Sequence, residues 1–524
     1  MNNKKYPIKQ SNDYASVTED LIRMPDGVGI YTRLSVPKGK DKYPIVFDRT
    51  PYAEALNGVP YDITRLYSNI FIKHGYAIVT QHCRGTADSE GEMHPYEYEK
   101  ADGLATLEYI RTLPFYNGEI YVIGKSYLAS THLLYLSEKP HDIKGACIQI
   151  QTDRMYYAKY CNGCCKTSIQ WYAERLKRRF PNQNPETNER PYIDVAKRTF
   201  GVDMPMCRNN LIHNTFDEYW KNDPRHNVID TLEIPTLLVE GWYDFYIYGM
   251  TDMWSRMPDE TKKKSAMIIG PYGHSTSVTS GAEYPFPNGN IPDTYGVDWF
   301  DSIRNHTKYE HAEFGKVTYY SICADKWKTA IYPPKNPSVK KLYFSKDKAL
   351  SSSPKEDESV SYVYDPETTE NPHKFYNIFK SFAPNSFDGI ISYVSEPAKI
   401  EESFYGKVKF NVNVSSDCED TAFMFRLYFV ENGESYNLTE SVFAISHFVP
   451  NYKPGEIVEI SLETPPIAFT LKKGVSLRVD LSSSMGPYAP HANLRGHFAY
   501  ITETRVANNT FHTKGSYIEL PYEE

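Results

Sequence analysis

Six short apolar runs recur through the first half of the chain and limit its fold more than any other feature. They are Pro44-Ile45-Val46-Phe47, Tyr76-Ala77-Ile78-Val79-Thr80, Glu119-Ile120-Tyr121-Val122-Ile123, Gly145-Ala146-Cys147-Ile148-Gln149-Ile150, Pro235-Thr236-Leu237-Leu238-Val239 and Ala266-Met267-Ile268-Ile269. A strand with one buried face alternates apolar and polar residues. Runs apolar on both faces suit the inside of a sheet covered by helices on either side. Helical patterns fill the gaps, as from Ala101 to Thr112 and from Tyr127 to Ser137. That alternation predicts an α/β fold built on a parallel sheet.

Two stretches break the rhythm. Residues 152–230 carry no clear strand, many Tyr, Arg and Lys, and helical runs such as Ser168 to Phe180. So long a segment between two strands exceeds a plain crossover, and an inserted helical cap is expected. From about Ser338 the chain turns to short alternating segments, among them Lys407 to Val414, Phe423 to Phe429 and Val475 to Leu481. Period-two alternation over many strands predicts an all-β sandwich or jelly roll. The expected division is an α/β domain over 1–151 and 231–337, a helical cap over 152–230 and a β jelly-roll domain over 338–524.

With 40% hydrophobic residues, 25 Phe and 44 Tyr, the chain has material for such cores. A net charge of -8 argues against nucleic-acid binding by bulk charge. No apolar run approaches the ~20 residues that cross a bilayer, and the basic start Met1 to Pro7 has no apolar stretch behind it. A soluble cytoplasmic protein is expected. Cys161, Cys164 and Cys165 cluster as C-x-x-C-C, but no fourth zinc ligand or flanking strand–helix pair accompanies them. They are read as free thiols, and no metal or cofactor is expected.

The chemistry centres on Ile123-Gly124-Lys125-Ser126-Tyr127-Leu128-Ala129. A strand runs straight into a helix with a serine at the corner, which exposes the hydroxyl and offers helix N-terminal amides to an oxyanion. Taken alone, this G-x-S is equally a helix cap. Two later strands end in partners: Asp244 follows Leu237 to Trp242, and His274 follows Met267 to Gly273. The carboxyl ends of parallel strands share one edge, so the three side chains can converge, and Ser, Asp, His is the α/β-hydrolase chain order.

These segments resemble the cocaine esterase and X-Pro dipeptidyl-peptidase (CocE/NonD) group of α/β-hydrolases. Gly124, Ser126 and Tyr127 match its G-x-S-Y-x-G, with Ala129 in place of the last glycine. Gly241-Trp242-Tyr243-Asp244 and Gly270-Pro271-Tyr272-Gly273-His274 match its acid and histidine segments. Met24-Pro25-Asp26-Gly27, Arg84-Gly85, Ser89-Glu90-Gly91, Trp299-Phe300-Asp301, Asp325-Lys326-Trp327 and Lys473 to Arg478 also fit. The resemblance implies an α/β-hydrolase fold with a cap and a C-terminal jelly roll, and Ser126, Asp244 and His274 as catalytic triad. It further implies an oxyanion hole of the Tyr52 hydroxyl, from Arg49-Thr50-Pro51-Tyr52, and the Tyr127 backbone N–H.

The departures matter too. Where amino-acid ester hydrolases of this group place acids after the aspartate, this chain has Phe245-Tyr246-Ile247-Tyr248, so an α-ammonium substrate is disfavoured. Lys125 is read as a solvated neighbour. Trp242 and Phe245, with the cap aromatics Tyr156, Tyr157, Trp171 and Tyr172, are candidate pocket lining. The expectation is a serine hydrolase of a small-molecule ester, or less readily an amide. The alternatives are an X-Pro dipeptidyl-peptidase or acylase, and a silent binding protein on the same scaffold. The resemblance allows homo-oligomers and fixes none.

Overall fold

The computed structural model describes residues 5–11, 13–52, 69–166, 189–278, 282–367, 378–483 and 486–523. All six apolar runs lie on strands of one sheet. In chain order the first strands are β1 (Ile8–Ser11), β2 (Ala15–Arg23), β3 (Gly29–Pro37), β4 (Tyr43–Thr50), β5 (Ala77–His82), β6 (Tyr116–Lys125) and β7 (Ile143–Gln149). A separate hairpin, β8 (Tyr160–Cys161) and β9 (Cys164–Cys165), precedes β10 (Thr236–Gly241), β11 (Ala266–Gly270), β12 (Val317–Ser321) and β13 (Lys326–Ala330). The sheet order is β1-β2-β3-β5-β4-β6-β7-β10-β11-β12-β13. It is parallel from β5 to β12 and antiparallel at both margins.

Alternate residues of the central strands serve two cores. Ile45, Phe47, Val79, Val122, Ile148 and Leu238 pack with Leu107 and Leu133, from the helices Glu99–Thr112 and Tyr127–Leu136. Val46, Ile78, Ile123, Cys147, Leu237 and Ile268 pack with Phe71 and with Trp299 and Phe300 of the helix Tyr295–Asn305. This double burial is why the runs are apolar on both faces.

The region between β7 and β10 differs in one respect from the helical expectation. Short helices are present, at Met155–Lys159, Val195–Phe200, Pro205–Ile212 and Glu218–Lys221, but so is the β8–β9 hairpin. Its two-residue turn, Asn162-Gly163, takes positive φ at both positions (43° and 85°), which Asn-Gly adopts at little cost. The run from Ser168 to Phe180 lies outside the described residues.

The C-terminal part forms an all-β unit, ordered from Lys380–Ser381 at one margin to Val458–Leu471 at the other. The strand Ala507–Pro521 is its hub. It pairs with Glu402–Ser416 on one side, and with Val339–Ser345 and Ser359–Tyr364 on the other. The two units are stitched together where Ile322 exchanges backbone bonds with Ala468 and Thr470. Glu523 adds bonds to Lys328 (2.5 Å) and the Tyr319 hydroxyl (2.5 Å). Among the described residues, no helix is long and apolar enough to cross a membrane.

Candidate active site

The carboxyl ends of β4, β6, β7, β10 and β11 lie along one sheet edge, and the residues just beyond them build the site. Ser126 sits between β6 and the helix Tyr127–Leu136 with φ 54° and ψ -124°. That left-handed conformation is costly for a residue with a Cβ and marks a sharp elbow. Two glutamines at the end of β7 and just past it hold the elbow: the Ser126 amide donates to the Gln149 carbonyl (3.0 Å), and Gln151 Nε2 donates to the Ser126 carbonyl (2.9 Å). Gly124 makes the elbow possible, because a Cβ there would lie 2.6 Å from the Leu128 carbonyl carbon and 2.7 Å from the Ala129 nitrogen.

His274 Nε2 lies 2.9 Å from Ser126 Oγ, and His274 Nδ1 lies 2.6 Å from Asp244 Oδ2. The Asp244 side chain is fully buried, and its Oδ1 accepts from the Tyr246 amide (2.8 Å). The acid and histidine loops are bound together by Trp242 N–H to the Gly270 carbonyl and Tyr243 N–H to the Tyr272 carbonyl, each 3.0 Å. The three residues expected to converge therefore do, in a Ser–His–Asp hydrogen-bonded chain. A serine so placed can lose its proton to the imidazole, whose cation the carboxylate then stabilises.

Tyr52 and Tyr127 flank the serine. Tyr52 lines the same cavity as Ser126 and His274, and its ring meets that of Tyr127 edge-on at 6.3 Å. The Tyr127 amide is the first of its helix and has no carbonyl one turn back to bond. Its hydroxyl donates to buried Glu99 (2.5 Å), and its ring stacks on Tyr96 at 4.5 Å, which fixes the start of the helix.

The cavity holds about 730 Å³, within the usual range for small-molecule sites. Phe245 lines it and stacks on His274 at 4.6 Å. Tyr219, Trp220 and Arg225 come from the segment between β7 and β10. Arg225 grips Asp223 through Nε and Nη2, reaches Ser130 Oγ (3.2 Å) and covers the Tyr96 ring at 4.1 Å. Lys159 also lines the cavity, and burial draws its pKa down to about 8.

Several expectations need correction. Trp242 does not line the cavity of Ser126: its indole donates to the Tyr320 carbonyl (2.7 Å), facing away from the serine. Tyr156 and Tyr157 border a different cavity, and Tyr156 stacks on Tyr160 at 5.2 Å. Lys125 is half-buried rather than solvated, and burial lowers its pKa against the opposing pull of Asp48. Trp171 and Tyr172 lie outside the described residues. Cys161, Cys164 and Cys165 form no disulfide, and Cys161 and Cys164 sit opposite one another across the hairpin.

Sequence reasoning missed Gln149, Gln151 and Glu240. Each is a polar residue at the carboxyl end of an apolar strand, a position that by itself points to the functional edge. Glu240 is fully buried; its Oε1 accepts from the Gly241 amide (2.9 Å). Burial, reinforced by the Asp244 charge, pushes its carboxyl well above the usual range.

Comparisons with known proteins identify the family and the fold. The family model described as X-Pro dipeptidyl-peptidase (S15 family) matches residues 26–276. That of the X-Pro dipeptidyl-peptidase C-terminal non-catalytic domain matches residues 304–519. The chain is 22% identical to cocaine esterase of Rhodococcus sp. (strain MB1 Bresler), over 97% of this chain and 99% of the esterase. Among solved structures it resembles an aminopeptidase from a marine sediment Thaumarchaeota archaeon (18% identity, TM-score 0.83, 100% of this chain and 99% of that one). It also resembles an α-amino acid ester hydrolase (18% identity, TM-score 0.82, 99% of this chain and 98% of that one). Such identities speak for the fold: an α/β-hydrolase domain carrying a C-terminal all-β domain. The chain belongs to the cocaine esterase and X-Pro dipeptidyl-peptidase-like family, and it is a serine hydrolase acting on small-molecule or peptide substrates.

Proposed function

We propose that the protein hydrolyses a small-molecule carboxylic ester through an acyl-enzyme on Ser126. His274 takes the serine proton as Oγ attacks the carbonyl, then delivers it to the departing alcohol. Asp244 holds the imidazole with Nδ1–H toward itself and stabilises its cation. The Tyr52 hydroxyl and the Tyr127 amide receive the oxyanion. Water, activated by His274, then releases the acid.

The observation that carries this reading is the 2.9 Å and 2.6 Å chain from Ser126 through His274 to Asp244, opening on one cavity. Two further observations favour an ester over an α-ammonium peptide. Phe245 and Tyr246 occupy the wall beyond Asp244, and Asp223 of that cavity is already gripped by Arg225. The S15 match supports a second reading, an X-Pro dipeptidyl-peptidase.

Intact-mass labelling with a fluorophosphonate, on wild type and Ser126→Ala, tests the nucleophile. One adduct on wild type and none on the variant is expected; an unlabelled wild type would sink the mechanism. An acyl-ester panel beside an X-Pro-anilide separates the substrates, with ester turnover alone expected. Tyr52→Phe should lower kcat by about 10²–10³-fold. A loss below about threefold would remove Tyr52 from the oxyanion hole.

A further inference from the structure

Glu99 is a buried acid that the mechanism above does not use. It opens the helix Glu99–Thr112, a place where the helix dipole favours an acid. Such acids usually face water, whereas Glu99 is 4% exposed, and it does not line the cavity of Ser126.

Its side chain and its backbone reach two different segments. The carboxyl Oε1 accepts from the Tyr127 hydroxyl (2.5 Å). The backbone carbonyl accepts from Arg49 Nη1 (2.5 Å), and Arg49 also donates from Nε to Gln81 Oε1 (2.9 Å). Arg49 is fully buried on β4, and Tyr52 follows three residues later. The link between them is short and tied down: the Thr50 carbonyl accepts from the Cys83 amide (2.9 Å), and Thr50 Oγ1 accepts from the Tyr52 amide (3.1 Å).

At the other end the Tyr127 hydroxyl accepts from the Tyr96 amide (3.1 Å), which directs its one proton to Glu99. Tyr127 follows the strained Ser126 and supplies the first amide of its helix, so a bond at the tip of its ring restrains that amide. Glu99 Oε2 is buried and has no hydrogen-bond partner among the described residues. Burial pushes the carboxyl up, while the Tyr127 bond and the Arg49 charge pull it down. A half-satisfied buried carboxyl is destabilising where an apolar residue of similar size is not, which points to use of the bond it does make.

We propose that Glu99 is a positioning residue for the oxyanion hole: its bond to the Tyr127 hydroxyl holds the Tyr127 amide in register with the strand that leads to Tyr52. This role rests on the oxyanion reading proposed above, and Glu99 itself touches no substrate atom.

Steady-state hydrolysis of p-nitrophenyl acetate by the whole protein tests it, with Tyr52→Phe measured alongside. Glu99→Leu and Tyr127→Phe should each lower kcat about 10–100-fold, less than outright loss of a donor, with KM within about threefold. The rate of fluorophosphonate labelling, which develops the same oxyanion, should fall in parallel. The double variant should lie within about threefold of the poorer single one, because both break one bond. Glu99→Gln, whose amide oxygen can still accept from the hydroxyl, should recover kcat to within about threefold of wild type. Tyr127→Phe removes a single oxygen, so it carries the test if Glu99→Leu does not fold. A Tyr52→Phe loss of about 100-fold or more, with Glu99→Leu and Tyr127→Phe within about threefold of wild type, would overturn the role of Glu99 and leave the oxyanion reading standing. So would losses that multiply in the double variant, or a lower melting temperature with kcat unchanged. A Tyr52→Phe loss below about threefold would remove the oxyanion reading, and the role of Glu99 with it.

Discussion

Gly124→Ala is the sharpest probe of how the elbow works. The added Cβ would sit 2.6 Å from the Leu128 carbonyl carbon, 2.7 Å from the Ala129 nitrogen and 2.8 Å from the Leu128 oxygen. All three are backbone atoms of a helix whose ten residues are all buried, so no side chain can turn aside. Reaching an ordinary contact near 3.4 Å requires strand and helix to part by about 0.8 Å. That displacement carries Ser126 Oγ off His274 and, on the proposed mechanism, tilts the Tyr127 amide away from the oxyanion. Misplacement by about 1 Å costs about 10²-fold, so kcat/KM should fall about 30–100-fold, or about 2–3 kcal/mol. Overpacking should also cost about 1–3 kcal/mol of stability. The assay is the second-order rate of fluorophosphonate labelling beside ester turnover, with a thermal melt of each sample. Ala129→Gly in the same background should not restore activity, because the obstruction is backbone. A Gly124→Ala protein that labels within about threefold of wild type and melts at the same temperature would refute the elbow argument.

Asp244→Asn should keep the fold and lower kcat about 10⁴-fold, because the amide presents the wrong partner to His274 Nδ1–H; a loss under about 100-fold would mean another group orients the imidazole. Glu240→Gln should leave kcat within about threefold between pH 6 and 8, since burial and the Asp244 charge both favour the protonated carboxyl that the amide mimics. A tenfold or larger drop would show that its ionised form is used. Lys159→Met should raise the melting temperature at pH 7. The folded-state pKa of Lys159 is depressed from 10.5 to about 8, so the folded state pays for the charge below pH 8. The penalty, at most about 3.4 kcal/mol, fades as pH rises towards 10.5, and the advantage of the variant should shrink over that window. Melts at pH 7 and pH 10 check the sign.

The parallel core and the convergence of Ser126, Asp244 and His274 were legible because both follow from one rule. Strands buried on two faces are continuously apolar, and their carboxyl ends share an edge. The margins were less legible. In β2, six of the nine residues are exposed or half-buried and charged residues intervene, which removes the continuous run. Trp242 shows why neighbours in sequence mislead about a pocket: two residues before Asp244, it points elsewhere and bonds the Tyr320 carbonyl. The cavity walls were illegible for a deeper reason. They depend on how Tyr219, Trp220 and Arg225 pack over the sheet edge, and no local pattern encodes that. The hairpin at Asn162-Gly163 was readable in principle, since Asn-Gly between short apolar pairs is a turn signal. Arg84 and Glu90, matched to the family, have structural work: Arg84 forks onto Asp102 and bonds Asp26, while Glu90 bonds Arg23 and the Gly29 amide.

The strand Ala507–Pro521 sets the timetable of folding. Its partners lie about 100–180 residues earlier in the chain, so their loops close late and slowly. At a synthesis rate of about 5–20 residues per second, Val339–Ser345 waits about 10–35 s on the ribosome for its neighbour to emerge. During that interval Glu402–Ser416 has Val458–Leu471 on one side and an open edge on the other. The parallel sheet bearing Ser126 is complete well before then. The nascent protein thus passes through a stage in which the catalytic half can be assembled while the β half is still a hazard for aggregation, a stage at which a chaperone has the most to bind.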